Sequence, residues 1–395
     1  MDTFFRPTTV EISLDALEHN VQAMRAALPT ATKMLASVKA NAYGHGVVQV
    51  AKQLELLAVD YMGVAFLDEA LQLRRAGIKT PILVLGYVPV DGLLEARDHS
   101  ITISLFREDV RQAAAQLPDH PDGLKLQVHI KVDTGMGRLG VIGYEETLSF
   151  IEQCMKTPQL IVEGVFTHYA NADTADKTHT QGQYALFKQI ADAISARSWE
   201  IPYVHADNSA AGMECTSAAG NMVRFGIGMY GLYPSVEVNR QHIVLKPVLS
   251  LKSEIVFVKR APENWGISYG SKYVTTDAEW IGTLPIGYAD GYSRMLSGQA
   301  EVLVRGIRTK VLGNICMDQC MIALDPILAA TNNEPMKHGE EVVLIGEQGR
   351  ERITADELAD KLGTIHYEVV CMLAARVPRI YRHNGKITAI VNPVS

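Results

Sequence analysis

Eight short apolar runs, each closed by a turn and most separated by helical patterns, set the tightest limit on how this chain can fold. They fall at residues 34–39, 61–66, 81–86, 101–105, 125–133, 160–168, 203–207 and 221–225. Apolar residues recur at helical spacing over 14–28, 47–57, 67–76 and 184–196, with Pro29 and Gly77 as stops. Runs this apolar are buried on both faces, which is the signature of a parallel sheet. Eight strand–helix units of this size point to a closed barrel more than to an open sheet.

From about Lys246 the beat changes. Short strand patterns follow without long helices between them, at 248–258, 280–286, 301–304, 308–312 and 341–345. One amphipathic helix interrupts at 354–362, with Thr354 and Glu357 spaced as a capping box. The expected class is α/β: an N-terminal (β/α)8 TIM-type barrel followed by a mainly β C-terminal domain. The boundaries read as a strand segment at 1–13, the barrel at 14–245 and the β domain at 246–395. A chain of 395 residues is long enough for a core in each.

Charge and cysteine content exclude several functions. The net charge of −7 is spread without long runs, which argues against a nucleic-acid partner and against a polybasic membrane patch. No stretch approaches a membrane span, and acidic and polar residues interrupt the N-terminus before it could form a signal peptide, so a cytoplasmic protein is expected. The five cysteines, Cys154, Cys215, Cys316, Cys320 and Cys371, are scattered and odd in number, which speaks against a disulfide framework. Cys316 and Cys320 lack a second pair at zinc spacing, so no metal is expected.

The stretch 34–46 carries the first chemical signal. An apolar strand ends in Lys39 and opens into a glycine-punctuated loop with Tyr43 four residues on. Burial of the stem at a strand end lowers a lysine's pKa and makes it a candidate Schiff-base nucleophile; the plain alternative is a solvated lysine. On a barrel, functional groups sit where strands end. Here those ends deliver Lys39, Asp133 with Arg138 beyond it, His168, the Asn208–Ser209 turn, and Arg224 ahead of Gly226 and Gly228. Ser209 and the Gly226-Ile227-Gly228 turn offer backbone N–H groups where barrels commonly hold phosphate, so a phosphorylated ligand is inferred. The alternative is two tight turns that close the barrel. Residues 135–140 match G-x-G-x-x-G after a strand. That motif arrives at the fifth strand without an acidic residue closing the next, so it reads as a tight loop carrying Arg138.

Six ordered motifs together resemble alanine racemase. They are the run Val38 to Gly46, the loop Lys131 to Gly140, the turn Asn208-Ser209, the segment Arg224 to Gly228, the cluster Gly287 to Tyr292, and Cys316-Met317-Asp318. The resemblance extends from near Val10 to Tyr381. It implies a pyridoxal 5'-phosphate-dependent barrel joined to a β domain, a head-to-tail homodimer with shared sites, and interconversion of L-alanine and D-alanine to supply peptidoglycan. It further implies that Lys39 holds the cofactor and serves one face of the substrate carbon, while Tyr269 of the partner subunit serves the other. Racemisation needs a proton acceptor on each face. A tyrosine in water has a pKa of about 10, so the second base needs nearby positive charge or hydrogen bonds.

On the same resemblance, Tyr43, Ser209, Gly226, Ile227 and Tyr367 would hold the phosphate, His168 would pack at the ring, and His205 would support Arg224. Arg224 would face the pyridine nitrogen and, because arginine keeps its proton, would weaken the electron sink. Arg138 and the partner's Met317 would take the substrate carboxylate, with Asp318 in support, and Tyr288 would narrow the entrance. Lys131 matches a position that many family members carbamylate, and Asp207 departs from the small or apolar residue usual before Asn-Ser-Ala. Three alternatives accompany this reading: a broad-specificity racemase, a non-catalytic pyridoxal phosphate barrel, and a barrel-type decarboxylase. The last two are opposed by Tyr269 and Arg224 respectively.

Overall fold

The computed structural model describes residues 1–214 and 220–394, in two compact units. One unit comprises Ala16–Ala42 and Val47–Lys246; the other gathers Met1–Asp15, Tyr43–Gly46 and Pro247–Ser395. Cys215 lies outside the described residues, and Cys154, Cys316, Cys320 and Cys371 are free thiols. No helix among the described residues is long and apolar enough to cross a membrane.

Strand β1 (Thr9–Ser13) belongs to the second unit. The first unit is built on an eight-stranded parallel sheet of β2 (Lys33–Ser37), β3 (Tyr61–Val64), β4 (Ile82–Val84), β5 (Ile101–Leu105), β6 (Leu126–Lys131), β7 (Leu160–Phe166), β8 (Tyr203–His205) and β9 (Met222–Phe225). Its order is β8-β7-β6-β5-β4-β3-β2-β9, so sequential strands are neighbours except where β9 pairs with β2. Both faces are buried: Met34, Leu35 and Ala36 on β2 and all three residues of β4 are nearly inaccessible. The barrel is nearly, rather than fully, closed by strand pairing. At the β8–β9 seam the backbone bonds are Asn221 N–H to the Val204 carbonyl and Arg224 N–H to the Asp207 carbonyl, each 2.9 Å. The Asn221 side chain fills in, accepting from Val204 N–H at 3.1 Å and donating to the Pro202 carbonyl at 2.7 Å.

Several strands end sooner than their apolar runs. β2 stops at Ser37, β6 at Lys131, β7 at Phe166 and β8 at His205, so Lys39, Asp133, His168 and Asp207 each follow a strand end by two residues. The barrel interior is also more polar than a filling of branched aliphatic residues. Glu163 on β7 accepts from the Tyr61 hydroxyl at 2.7 Å, the Thr102 hydroxyl at 3.2 Å and the Gln127 amide at 2.8 Å.

The second unit is mainly β. Its strands are β10 (Leu249–Glu254), β11 (Phe257–Ala261), β12 (Gly266–Ile267), β13 (Tyr273–Val274), β14 (Glu279–Leu284), β15 (Glu301–Val304), β16 (Ile307–Leu312), β17 (Cys320–Ala323), β18 (Glu341–Gln348), β19 (Glu351–Ile353), β20 (Arg379–His383) and β21 (Lys386–Val391). β1 lies between β10, antiparallel to it, and β20, parallel to it. The run 248–258 divides because the chain changes partners: β10 pairs β18 while β11 pairs β14. The β20–β21 hairpin turns at Asn384 and Gly385, both at positive φ (51° and 71°). That Asn-Gly pair is a strong hairpin signal which the sequence reading passed over. Two further short helices, Asp325–Ala330 and His366–Cys371, join the expected one, which spans Ala355–Leu362. Thr354 caps the latter by accepting from Glu357 N–H at 3.0 Å. Only half of the capping box forms, because the Glu357 carboxylate binds Arg308 instead, at 3.0 Å to each guanidinium nitrogen.

Asp290 anchors this unit. Its side chain is fully buried, bound by Arg6 (2.6 Å), by Arg376 Nε–H (2.7 Å) and by Gly287 N–H (2.9 Å). Removing one member of a buried ion cluster leaves its partners without compensation. Asp290→Ala is expected to lower stability by roughly 3 kcal/mol, the low end for buried pairs because both arginines are partly solvated. Urea denaturation followed by tryptophan fluorescence checks this.

Candidate functional site

The chain leaves β2 through an unusual turn. Ala40, Asn41, Ala42 and Tyr43 have φ of 52°, 54°, 54° and 52°, a left-handed turn without glycine. Each such residue costs about 1–2 kcal/mol, and strain of this kind persists only where the surroundings impose it. In the barrel unit those surroundings are specific. Ala42 N–H donates to the Val38 carbonyl at 2.9 Å, and Val47 N–H to Asn41 Oδ1 at 2.8 Å. Glu69 accepts from Ala40 N–H at 2.6 Å and from Ala65 N–H at 2.7 Å, tying together the exits of β2 and β3. Lys39 stands at the start of this turn, so its backbone is held firmly. The sequence pattern pointed to an ordinary glycine loop, because alanine has no propensity for this conformation.

Arg224, on β9, is the most heavily bound cation of the barrel mouth. It is 5% exposed. Its Nη1–H donates to His205 Nδ1 at 2.9 Å. Its Nη2 donates to the carbonyls of Thr167 (2.8 Å) and Ala206 (2.6 Å) and to His168 Nδ1 (3.0 Å). Burial pushes its pKa down to about 10, which still leaves it charged at neutral pH. Because an arginine can only donate, both histidines must present unprotonated Nδ1 atoms. Burial, with Arg224's charge behind it, holds both imidazoles well below their usual range. The Phe166 ring stacks on His205 at 4.8 Å with 3° between planes, and the guanidinium lies 5.6 Å from the same ring.

Lys131 is buried at the end of β6, its Nζ 3.3 Å from the Leu85 carbonyl and 5.3 Å from the Phe166 ring centre. Burial, then the charges of Arg138, Arg224 and Lys39, push it down to about 7. The loop that brings Arg138 is organised by Asp133. Its Oδ1 accepts from the N–H groups of Gly135, Met136 and Gly137 at 2.9, 2.9 and 3.1 Å, and its Oδ2 from Arg138 N–H at 3.0 Å. Burial alone would raise Asp133, but these four bonds outweigh it and leave the carboxyl below its usual range. The G-x-G-x-x-G backbone is therefore an anion nest already filled by the chain's own carboxylate, and the dinucleotide reading falls.

Ser209 begins the helix Ser209–Glu214, and its Oγ accepts from Gly226 N–H at 2.8 Å. This bond brings together the two turns singled out as phosphate-binding, with Ile227 starting the next short helix. Asp207, 8% exposed, sits between β8 and Ser209, and burial raises its carboxyl to about 6 against the opposing pull of Arg224.

The second unit contributes a separate set. Tyr43 and Tyr367 have ring centres 6.3 Å apart. Tyr269 follows Ser268, whose φ of 65° and ψ of −177° lie in a region that glycine alone occupies comfortably. That strain is held by Asn314, whose carbonyl takes the Ser268 hydroxyl at 2.5 Å and whose amide donates to the Tyr269 carbonyl at 2.6 Å. Tyr288 N–H and Ala289 N–H donate to the carbonyls of Cys316 and Met317, each at 3.0 Å. Asp318 binds Arg376 at 2.6 Å, and Arg376 in turn binds Asp290. Tyr269, Met317 and Tyr288 are 72%, 52% and 40% exposed, a run of aromatic and apolar side chains on linked loops. Sequence reasoning missed Phe166, Glu69, His129 and Arg376, which act by supporting other residues and carry no motif of their own; Asp290 lay within the Gly287 to Tyr292 cluster but was given no role.

Asp207's folded pKa lies above its unfolded value of 3.8, so the folded chain binds more protons between about pH 4 and 6. Its contribution to stability is thus present at low pH and lost as pH rises through 6. Asp207→Asn is expected to match the parent near pH 4 and to be more stable above pH 7, by on the order of 2 kcal/mol. Thermal melting of the cofactor-free protein from pH 5 to 8 checks this: the variant's advantage should grow with pH.

The chain matches the family model described as alanine racemase, N-terminal domain, over residues 12–234, and that described as alanine racemase, C-terminal domain, over 248–381. It is 45% identical to an alanine racemase of Halalkalibacterium halodurans, with 99% of each chain covered. Its fold superposes with a TM-score of 0.92 on the alanine racemase of Bacillus anthracis with bound L-Ala-P, at 39% identity, covering 100% of this chain and 99% of that one. It also resembles a histidine racemase from Leuconostoc mesenteroides, with a TM-score of 0.86 and 29% identity over 97% of this chain and 100% of that one.

Proposed function

Because the chain belongs to the alanine racemase family, we propose that it interconverts L-alanine and D-alanine with pyridoxal 5'-phosphate, working as a homodimer with shared sites. The observation that carries this reading is electrostatic. Lys39, Arg138 and Arg224 act together on Lys131, which makes one barrel mouth a sink for anions. A ligand with a phosphate and a substrate with a carboxylate together satisfy such a field. The residues present fit the cofactor: Ser209 Oγ, held by the Gly226 N–H, keeps its own O–H to donate to a phosphate, and Arg224 keeps donor capacity for a ring nitrogen.

When bound, pyridoxal phosphate supplies an aldehyde that captures an amine and a ring that takes up the electron pair left when the α-proton departs. Everything else is the chain's own work. The Lys39 amine holds the cofactor, then accepts or returns the α-proton on one face. The hydroxyl of the partner's Tyr269 does the same on the other face. Tyr43, Ser209, Gly226, Ile227 and Tyr367 would hold the phosphate, and His168 would pack at the ring. Arg224 would donate to the ring nitrogen while keeping its own proton, a role that would limit electron withdrawal and disfavour side reactions. Arg138 and the partner's Met317 N–H would orient the substrate carboxylate, and Tyr288 would keep the entrance small. Exposure of Tyr269, Met317 and Tyr288 on one linked set of loops supports a subunit face there. The D-alanine formed serves peptidoglycan. A cytoplasmic setting fits the free thiols among the described residues. A broader substrate range is a second reading, favoured by the likeness to the histidine racemase.

The decisive experiment follows the optical rotation of L-alanine with purified protein and pyridoxal phosphate. Decay to zero supports the reading; a flat trace with L-alanine, but decay with L-serine or L-histidine, moves it to the broader one. Lys39→Ala is expected to abolish the bound cofactor's absorbance and nearly all turnover. Tyr269→Ala is expected to keep the colour and to slow α-proton exchange from one enantiomer by about 10²–10⁴-fold, the usual contribution of a general base. Equal slowing from both enantiomers would overturn the face assignment.

Lys131 is close to half neutral at pH 7, whereas a solvated lysine is almost wholly charged. Only the neutral amine adds carbon dioxide, so carbamylation is expected to fall away below about pH 6 and to saturate above pH 8. A carbamate carbon signal from protein equilibrated with 13C-bicarbonate, absent in Lys131→Met, checks this.

A further inference from the structure

We infer that His129 is a positioning residue for Arg224: by accepting the His205 Nε2 hydrogen it reinforces the tautomer that Arg224 demands, in which His205 Nδ1 is the acceptor that holds the guanidinium. The inference rests on the proposed role of Arg224 at the cofactor's ring nitrogen for its functional meaning, and on the barrel alone for its geometry.

His205 Nε2 lies 2.9 Å from His129 Nδ1, and His205 Nδ1 lies 2.9 Å from Arg224 Nη1. Proton placement along this chain follows from its charged end. The guanidinium donates, so His205 Nδ1 is bare and the His205 hydrogen is on Nε2; His129 Nδ1 then accepts it, and the His129 hydrogen is on its own Nε2. Both rings are fully buried. Burial, reinforced by Arg224, keeps His129 neutral by lowering it to about 3, so acid does not scramble this order in the working range.

Three features of the barrel serve this placement. First, the β6–β7 register slips by one residue at Val128/His129, so that His129 faces Gly164 instead of Glu163. Second, Gly164 has to be a glycine: a Cβ there would lie 2.6 to 2.7 Å from three atoms of the His129 ring. Third, His129 Nε2 is buried without a hydrogen-bond partner. An unsatisfied buried donor costs about 1–3 kcal/mol. A leucine in that position would avoid the cost and fill the core, so the imidazole is there for its other nitrogen.

Without His129 the buried His205 Nε2–H loses its acceptor, so only Arg224 still favours that tautomer and the competing Nδ1–H form, which points at an arginine N–H, gains population. Arg224 would then keep its bonds to Thr167, Ala206 and His168 but lose the contact that fixes Nη1.

The test uses full-length protein carrying 15N-histidine, with and without pyridoxal phosphate. The His205 resonances are expected to show the neutral Nε2–H form in both states. His129→Leu is expected to shift His205 toward the Nδ1–H form and to weaken pyridoxal phosphate binding about tenfold, the size of a lost hydrogen bond to a charged group. His129→Asn, whose Oδ1 can accept where Nδ1 did, is expected to restore both. A merely structural role for His129 would lower the melting temperature of His129→Leu and leave the His205 form unchanged, which would overturn the inference. So would a parent spectrum with the His205 proton on Nδ1. Should His129→Leu fail to fold, the parent and His129→Asn spectra decide: loss of the Nε2–H form in His129→Asn also counts against it. Failure to bind pyridoxal phosphate at all would sink the proposed function, while the spectrum of the cofactor-free protein would still decide the role of His129.

Discussion

A guanidinium buried in the mouth of a barrel governs the arrangement around it. Arg224 cannot shed its charge by giving up a proton at neutral pH, so every group within reach has to accept from it or tolerate it. Two backbone carbonyls at the ends of β7 and β8 and two imidazoles accept. Those imidazoles are thereby committed to one tautomer, and one of them passes the commitment to a third ring deeper in the core. Where no acceptor is available the effect is repulsion: Lys131 is held near neutrality by burial and by the charges of Arg138, Arg224 and Lys39. The same field that makes a free ammonium costly at Lys131 makes an anionic ligand welcome.

Strain is concentrated where side chains with chemistry are presented. Lys39 opens a left-handed turn made without glycine, and Tyr269 follows a serine in a conformation suited to glycine. In each unit the strain is imposed by hydrogen bonds from neighbouring segments, through Glu69 in one and Asn314 in the other. Holding a backbone this firmly fixes the point from which each side chain starts. Asp290 plays a comparable part for the loops that carry Tyr288 and Met317, with Arg6 and Arg376 as its counter-charges.

Much of this was legible in the residues. The eight apolar runs follow from burial on both sheet faces, and each of them overlaps a barrel strand in the structure. The sites at strand ends were legible for the same reason, since residues just past a buried run must leave the core. Less legible were the last hairpin, whose Asn384-Gly385 signal was present but passed over, and the division of the run 248–258 between two partners. Glu357 shows a local rule losing to a longer-range one: its spacing suits a capping box, yet a fully charged arginine from another strand outbids a backbone N–H.

By itself the sequence determined the barrel, the β domain and the identity of the groups at the strand ends, because hydrophobic periodicity and residue chemistry are local properties. Tertiary structure alone decided which of those groups share a field, which nitrogen of each histidine carries the proton, and why residue 164 has no side chain. These depend on atoms brought within 3 Å across tens of residues of sequence, and coupling through space at that range leaves no periodic mark along the chain.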